Sequence, residues 1–341
     1  MRVLLTGHRG YIGSVLLPML QNQGHEVVGL DTDWFERCTF TGKVAEVTSI
    51  KKDTRDIEEN DIDGFDAIIH LAGLSNDPLG DFRPMITEEI NDAASVKLAQ
   101  IAKKVGVKRF LFASSCSNYG ASGDNFLTEE AHFNPVTPYG SSKVQVEKAL
   151  VKMADDNFCP TYLRASTAYG LSPRIRFDLV INNLTAWAFT TGRVFLKSDG
   201  TPWRPVVHVE DIARAYIAVL HAPWDVVHNE AFNVGSTTEN YQMRELAEIV
   251  RDIVPGCRID YAEDAGPDKR CYRVDCNKIA RVLHEFKPQW TARRGVEELY
   301  QEYKRVGLTL EEFEGEKYMR IAHLKWLMNS GLIDNDYRWI K

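Results

Sequence analysis

The chain opens Met1-Arg2-Val3-Leu4-Leu5-Thr6-Gly7-His8-Arg9-Gly10-Tyr11-Ile12-Gly13, and this beginning leaves little freedom in the choice of fold. An apolar run holding a β-branched residue reads as a strand. Three glycines at three-residue spacing read as a tight turn, and the apolar stretch 14–20 behind them reads as a helix. Without a Cβ, glycine lets such a turn adopt positive φ, lets a phosphate approach the backbone, and lets the helix lie close to the strand. The helix N-terminus adds free N–H groups and a positive dipole end. A plain surface turn would account for the glycines alone. The strand before them and the helix after them point instead to a dinucleotide, held by Gly7, Gly10 and Gly13 with Arg9, Tyr11 and Ile12 beside it.

Asp31 follows a second apolar run, 27–30, and lies 18 residues beyond Gly13 (31 − 13). An acid there can accept from both hydroxyls of an adenosine ribose and would repel a 2′-phosphate. This favours NAD over NADP, with Arg9 as the one residue of the turn able to hold that phosphate. Further strand-like runs at 67–72, 109–113 and 161–164 alternate with helix-like stretches at 93–104 and 142–154. Such alternation predicts βαβ units, a parallel sheet covered on both faces, and a ligand crevice at one sheet edge. After Gly170 the pattern changes: 174–191 reads as one helix, 194–196, 206–209 and 231–234 as strands, 211–220 and 242–253 as helices. The expected division is a dinucleotide domain, 1–173 with 205–240 returning to it, and a smaller lobe from 174–204 and 241–341. Its tail from Leu308, rich in charge and aromatics (Tyr318, Trp326, Tyr337, Trp339), reads as terminal helices packed on the body.

Composition narrows the class. With 341 residues, 44% hydrophobic and 26% charged, the chain reads as globular. No apolar stretch approaches the ~20 residues that span a bilayer, so a cytoplasmic protein with no membrane partner is expected. A net charge of −7 argues against nucleic acid. Six scattered cysteines without a C-x-x-C pair read as reduced thiols, and the dispersed histidines offer no metal site.

Two further segments carry chemistry. In Pro138-Tyr139-Gly140-Ser141-Ser142-Lys143, Tyr139 and Lys143 are four apart and share one helix face. A tyrosine hydroxyl is a poor base at its ordinary pKa of about 10, but a neighbouring ammonium favours the phenolate. The pair then suits proton transfer from an alcohol. Ser114-Ser115-Cys116-Ser117-Asn118-Tyr119-Gly120 directly follows a strand and offers hydroxyls for the reacting oxygen, although a serine-rich turn would look the same.

In this order the motifs resemble those of the extended short-chain dehydrogenase/reductase family, in its nucleotide-sugar branch. The resemblance covers roughly residues 1–285. It is carried by the glycine turn, His70-Leu71-Ala72-Gly73, the 114–120 and 138–143 segments, Leu163-Arg164 with Tyr169-Gly170, and Arg204 through Val209 to Asp211. It implies a Rossmann-type doubly wound parallel sheet with a smaller, interleaved C-terminal substrate lobe. It further implies Ser115 as catalytic hydroxyl, Tyr139 as acid/base and Lys143 as its partner. Asp53-Thr54 would lie beside the adenine, with Leu71, Ala72 and Gly73 along the cofactor. Ser75, Asn91, Ser117, Thr167 and Asn183 would lie near the substrate, and Arg204 would grip its diphosphate, a task suited to a guanidinium. A homodimer through helices 93–104 and 139–154 is expected by the same analogy.

Departures from the family narrow the reaction. Dehydratases of the branch resemble Thr-Asp-Glu where this chain has Ser115-Cys116-Ser117, and Ser117 cannot supply the extra acid or base. Cys116 lies one position from where epimerase-reductases carry cysteine and reads as a buried small residue. What remains is a 4-epimerase, in which hydride leaves C4 and returns to the other face, or a 4-ketoreductase. A dinucleotide-sensing protein without catalysis would be expected to lack the Tyr139–Lys143 pair. Thr167 replaces a common asparagine, and Ala265 a second diphosphate arginine, for which Arg174, Arg176, Lys269 or Arg270 are candidate substitutes.

Overall fold

A computed structural model describes residues 1–75, 77–120, 125–266 and 271–340. Seven strands form one parallel sheet: β1 (Arg2–Thr6), β2 (Glu26–Asp31), β3 (Ser49–Lys51), β4 (Ala67–His70), β5 (Arg109–Ser115), β6 (Cys159–Ala165) and β7 (Glu230–Val234). Their order is β7-β6-β5-β4-β1-β2-β3. The late strand β7 thus returns to the first sheet, pairing Phe232 with Leu163.

Alternation along the strands builds two cores, because successive side chains point to opposite faces. Val3, Leu5, Ile69 and Leu163 meet Leu16, Leu17 and Leu20 of α1 (Gly13–Asn22) and Ile212 and Tyr216 of a later helix, Val209–His221. On the other face Leu4, Ile68 and Phe110 meet Leu98 and Ala102 of α2 (Ala94–Lys104) and Val146 and Leu150 of α3 (Pro138–Met153). This is the Rossmann-type arrangement, with helices on both faces of a parallel sheet.

A third core joins Ile181, Leu184, Val194, Leu246, Val296 and Tyr303 in the smaller lobe. The expected helix 174–191 is shorter in the structure: α4 runs Val180–Thr191 and residues 174–179 are not helical. Their polar groups are held elsewhere. Asn182 Nδ2 donates to the Arg176 carbonyl at 3.0 Å, Asn183 Nδ2 to the Phe177 carbonyl at 2.9 Å, and Arg176 reaches Ser75. A fourth core packs Leu324 and Leu327 of a terminal helix, α5 (Arg320–Asn329), with Ile333 and Tyr337, on Trp34, Leu74, Leu79 and Ile86. The tail therefore covers the dinucleotide half as well as the lobe.

Candidate active site

The sheet order reverses between β1 and β4, so the segments leaving these strands part and open a crevice. A cavity of about 1200 Å³ occupies it. The glycine turn forms its floor. Gly7 has φ +70, and a Cβ there would lie 2.8 Å from the Ala72 nitrogen; one on Gly13 would lie 2.2 Å from the Gly7 carbonyl oxygen. Real side chains at either position would force the turn open. Tyr11 donates its hydroxyl to the Gly170 carbonyl at 2.7 Å, which ties the turn to the segment leading into the lobe.

Beside the turn, Asp31 accepts from the backbone N–H of Arg9 at 3.0 Å and of Asp33 at 2.8 Å. Burial pushes its carboxyl up. Arg9 ion-pairs with Asp33 and does not line the cavity, so its charge is already answered. A cradle closed by missing Cβ atoms, with an acid beside it and the one turn cation neutralised, fits NAD. Gly10, Ile12, Thr54, Leu71 and Gly73 also line the cavity. Asp53 lines it too, though its carboxylate holds Arg55 at 2.8 Å and Arg338 at 3.4 Å.

Ser115, Tyr139 and Lys143 all line this cavity. Ser115 is the last residue of β5, and its Oγ accepts from the Ser117 hydroxyl at 2.8 Å and the Ser117 N–H at 3.1 Å. Tyr139 stands in the first turn of α3, which Thr137 caps by accepting from the Gly140 N–H at 3.1 Å. One turn on, the buried Lys143 ammonium lies 5.6 Å from the Tyr139 ring centroid and 4.8 Å from that of Phe112. Burial pulls its pKa down to about 8, and Glu147 one turn further opposes this. Beneath the site His70 is kept neutral: burial first, then the Lys143 charge, pulls it down to about 3. Its ring bridges Thr6 at 2.7 Å and Ser95 at 2.8 Å.

The substrate-side expectations divide. Ser75, Ser117, Thr167, Asn183 and Arg204 line the cavity. Asn91 does not: it is buried in a wide helical turn, Glu89–Ala93, and clamps Leu74 by accepting from its N–H at 2.7 Å and donating to its carbonyl at 2.9 Å. It shapes the segment after β4 from behind. Arg174 is likewise turned away, its guanidinium on the Phe35 carbonyl and 3.7 Å from Asp33. Arg176 takes the cavity wall instead, paired with Asp178 at 2.7 Å. Arg270, Lys269 and the Ala265 side chain lie outside the described residues. Cys116 is fully buried with its thiol on the Arg164 carbonyl. Unanticipated wall residues are Trp34 and Phe35 after β2, and Met319 to Ala322 with Lys325 in the tail. For the tail residues, the segment's aromatic, cationic make-up was the one sequence signal.

Residues 3–235 match the model of the NAD dependent epimerase/dehydratase family. The chain belongs to that family. It is 31% identical over 314 residues to a UDP-glucose 4-epimerase of Neisseria meningitidis serogroup A, covering 80% of this chain and 88% of the relative. To the UDP-glucose 4-epimerase of Bacillus subtilis it is 28% identical over 331 residues, covering 88% and 94%. Among solved structures, MoeE5 in complex with UDP-glucuronic acid and NAD superposes with a TM-score of 0.77 at 26% identity, covering 89% of this chain and 99% of the other. In this NAD-dependent family member, Tyr139 and Lys143 line the same cavity as the glycine turn.

Proposed function

We propose that the protein is a nucleotide-sugar 4-epimerase acting on a UDP-hexose. The supporting observation is that Ser115, Tyr139 and Lys143 line one cavity with the glycine turn, while the Ser115-Cys116-Ser117 segment carries no carboxylate for elimination. Bound in the cleft, NAD supplies the hydride acceptor for oxidation at C4 and the donor for its reversal. Ser115 orients the sugar hydroxyl, already preset by its bond to Ser117. Tyr139 takes the proton as the alcohol becomes a ketone and gives it back at the end. Lys143 favours the phenolate by charge. Arg204, which lines the cavity, grips the diphosphate, and Asn183 on the same cavity contacts the substrate.

Purified protein given UDP-glucose without added cofactor is expected to form UDP-galactose, read by NMR. Tyr139→Phe should slow this about 10²- to 10⁴-fold. Turnover that needs stoichiometric NADPH and a keto-sugar would replace the epimerase with a 4-ketoreductase. An unchanged rate in Tyr139→Phe would remove the mechanism. The same reading makes the protein a cytoplasmic homodimer associating through α2 and α3, which sedimentation of wild type would check; its six cysteines are all unpaired.

A further inference from the structure

The C-terminal segment brings to the cleft a charge that no ion pair among the described residues answers. Arg320, the first residue of α5, is 5% exposed and lines the cavity. Its Nη2 donates to the carbonyl oxygens of Arg174 at 2.9 Å and Ile175 at 3.3 Å, and its guanidinium rests 4.3 Å from the Phe35 ring centroid. Nη1 has no hydrogen-bond partner among the described residues. The nearby acids are engaged by other cations: Asp33 by Arg9 and Arg174, Asp178 by Arg176. Among the described residues none forms an ion pair with Arg320. A buried guanidinium without a counter-charge is costly, and an anion in the adjoining cavity would offset that cost. Burial first, then the Arg176 and Arg174 charges, pull Arg320 down to about 10, with Cys38 and Asp178 opposing them.

The surroundings indicate which anion. The two carbonyls holding Arg320 belong to the segment whose Ser172 hydroxyl donates to the Tyr11 carbonyl at 2.8 Å and lies 3.0 Å from the Ser14 hydroxyl. Both are at the glycine turn and the first turn of α1. Phe35, under the guanidinium, lies four residues past the ribose acid Asp31. Arg320 is thus anchored both to the segment on the phosphate-binding turn and to the loop after the ribose acid. We propose that Arg320, with Arg174 behind it, is the counter-charge for the pyrophosphate of the bound dinucleotide, so that the C-terminal segment is part of the cofactor site. Residue 320 lies well beyond the matched family segment, 3–235. The assignment rests on the dinucleotide reading of the cleft and not on which sugar is turned over.

Arg320→Met keeps an aliphatic stem and removes the charge; Arg320→Lys restores the charge without the fork. After stripping of resident cofactor, thermal midpoints and dissociation constants are measured for wild type and both variants with NAD, ADP-ribose, adenosine and UDP-glucose. Arg320→Met should bind NAD and ADP-ribose roughly 10- to 100-fold more weakly. Adenosine binding should be unchanged, and Arg320→Lys partly restored. A fallen unliganded midpoint with NAD affinity intact would make the arginine merely structural and overturn the assignment. So would equal losses for NAD and adenosine, or a loss confined to UDP-glucose. Wild type that binds neither NAD nor ADP-ribose would overturn the dinucleotide reading first, and this assignment with it.

Discussion

Lys143 stands where two opposed effects meet. Burial pulls its ammonium down to about 8, and Glu147 on the next turn holds it up. Glu147 is itself fixed by Arg164 Nη2 at 2.6 Å and by Asn118 at 3.1 Å. The charge on Lys143 is what favours the Tyr139 phenolate, so activity falls as pH rises through the lysine's pKa. The alkaline limb of kcat/KM is therefore expected near pH 8. In Glu147→Gln the supporting negative charge is gone, the lysine titrates lower, and the limb should move toward acid. The same change strips Arg164 of its buried partner, at a cost of about 3–5 kcal/mol in a urea melt. A limb that stays in place while stability drops would show that Glu147 acts on folding alone. Gly7→Ala belongs to the same scale: left-handed backbone costs a side chain about 1–2 kcal/mol, and the new Cβ would meet Ala72. Weaker NAD binding by calorimetry and a lower melting point are both expected. Gly7, Tyr139 and Lys143 were legible in sequence because what they need is local in the chain. Glu147 was not, because its partner Arg164 comes from strand β6, outside its own helix.

Elements were legible where one pattern dominated. The β1–turn–α1 unit and the returning strand β7 follow from apolar runs bounded by glycine or polar residues. The segment 174–191 misled because its apolar residues are continuous with those of α4, while residues 174–179 are pulled from the helix by partners distant in sequence. Asn91 misled in the opposite way. Family position put it near substrate, yet its wide turn points the amide at Leu74. Asn91→Ala would leave the Leu74 N–H and carbonyl without their partners, costing about 1–3 kcal/mol for each buried group. The segment leading to Ser75 should loosen, so KM is expected to rise more than kcat falls. Asn91→Asp keeps the bond from the Leu74 N–H and should lose less stability. Equal losses in the two variants would mean that volume, not this clamp, is what matters.

On the scale of the whole molecule, the cleft floor makes the protein acid-labile. His70 is buried at the end of the central strand β4 and its pKa is pulled down to about 3, below its ordinary value of 6.5. The folded state then binds fewer protons than the unfolded chain below pH 6.5, so stability falls as pH drops through that range toward 3. Burial also lowers His8, His25 and His323, which act in the same direction. Lys143 adds to it on the alkaline side: its penalty is complete below about 8 and is relieved as pH rises toward the ordinary lysine value. Asp31, Asp92, Glu129 and Glu239 oppose the trend, since burial raises them and the folded state gains as they protonate. Because these carboxyl groups titrate above their ordinary range, the histidine contribution is read from the difference between wild type and a histidine variant. Each fully displaced histidine contributes a slope of about 1.4 kcal/mol per pH unit below about pH 6.5. His70→Asn should lower stability at neutral pH by breaking the bridge between Thr6 and Ser95, and should flatten that slope in a series of urea melts. A slope as steep in the variant as in wild type would show that the protonation cost lies elsewhere in the molecule.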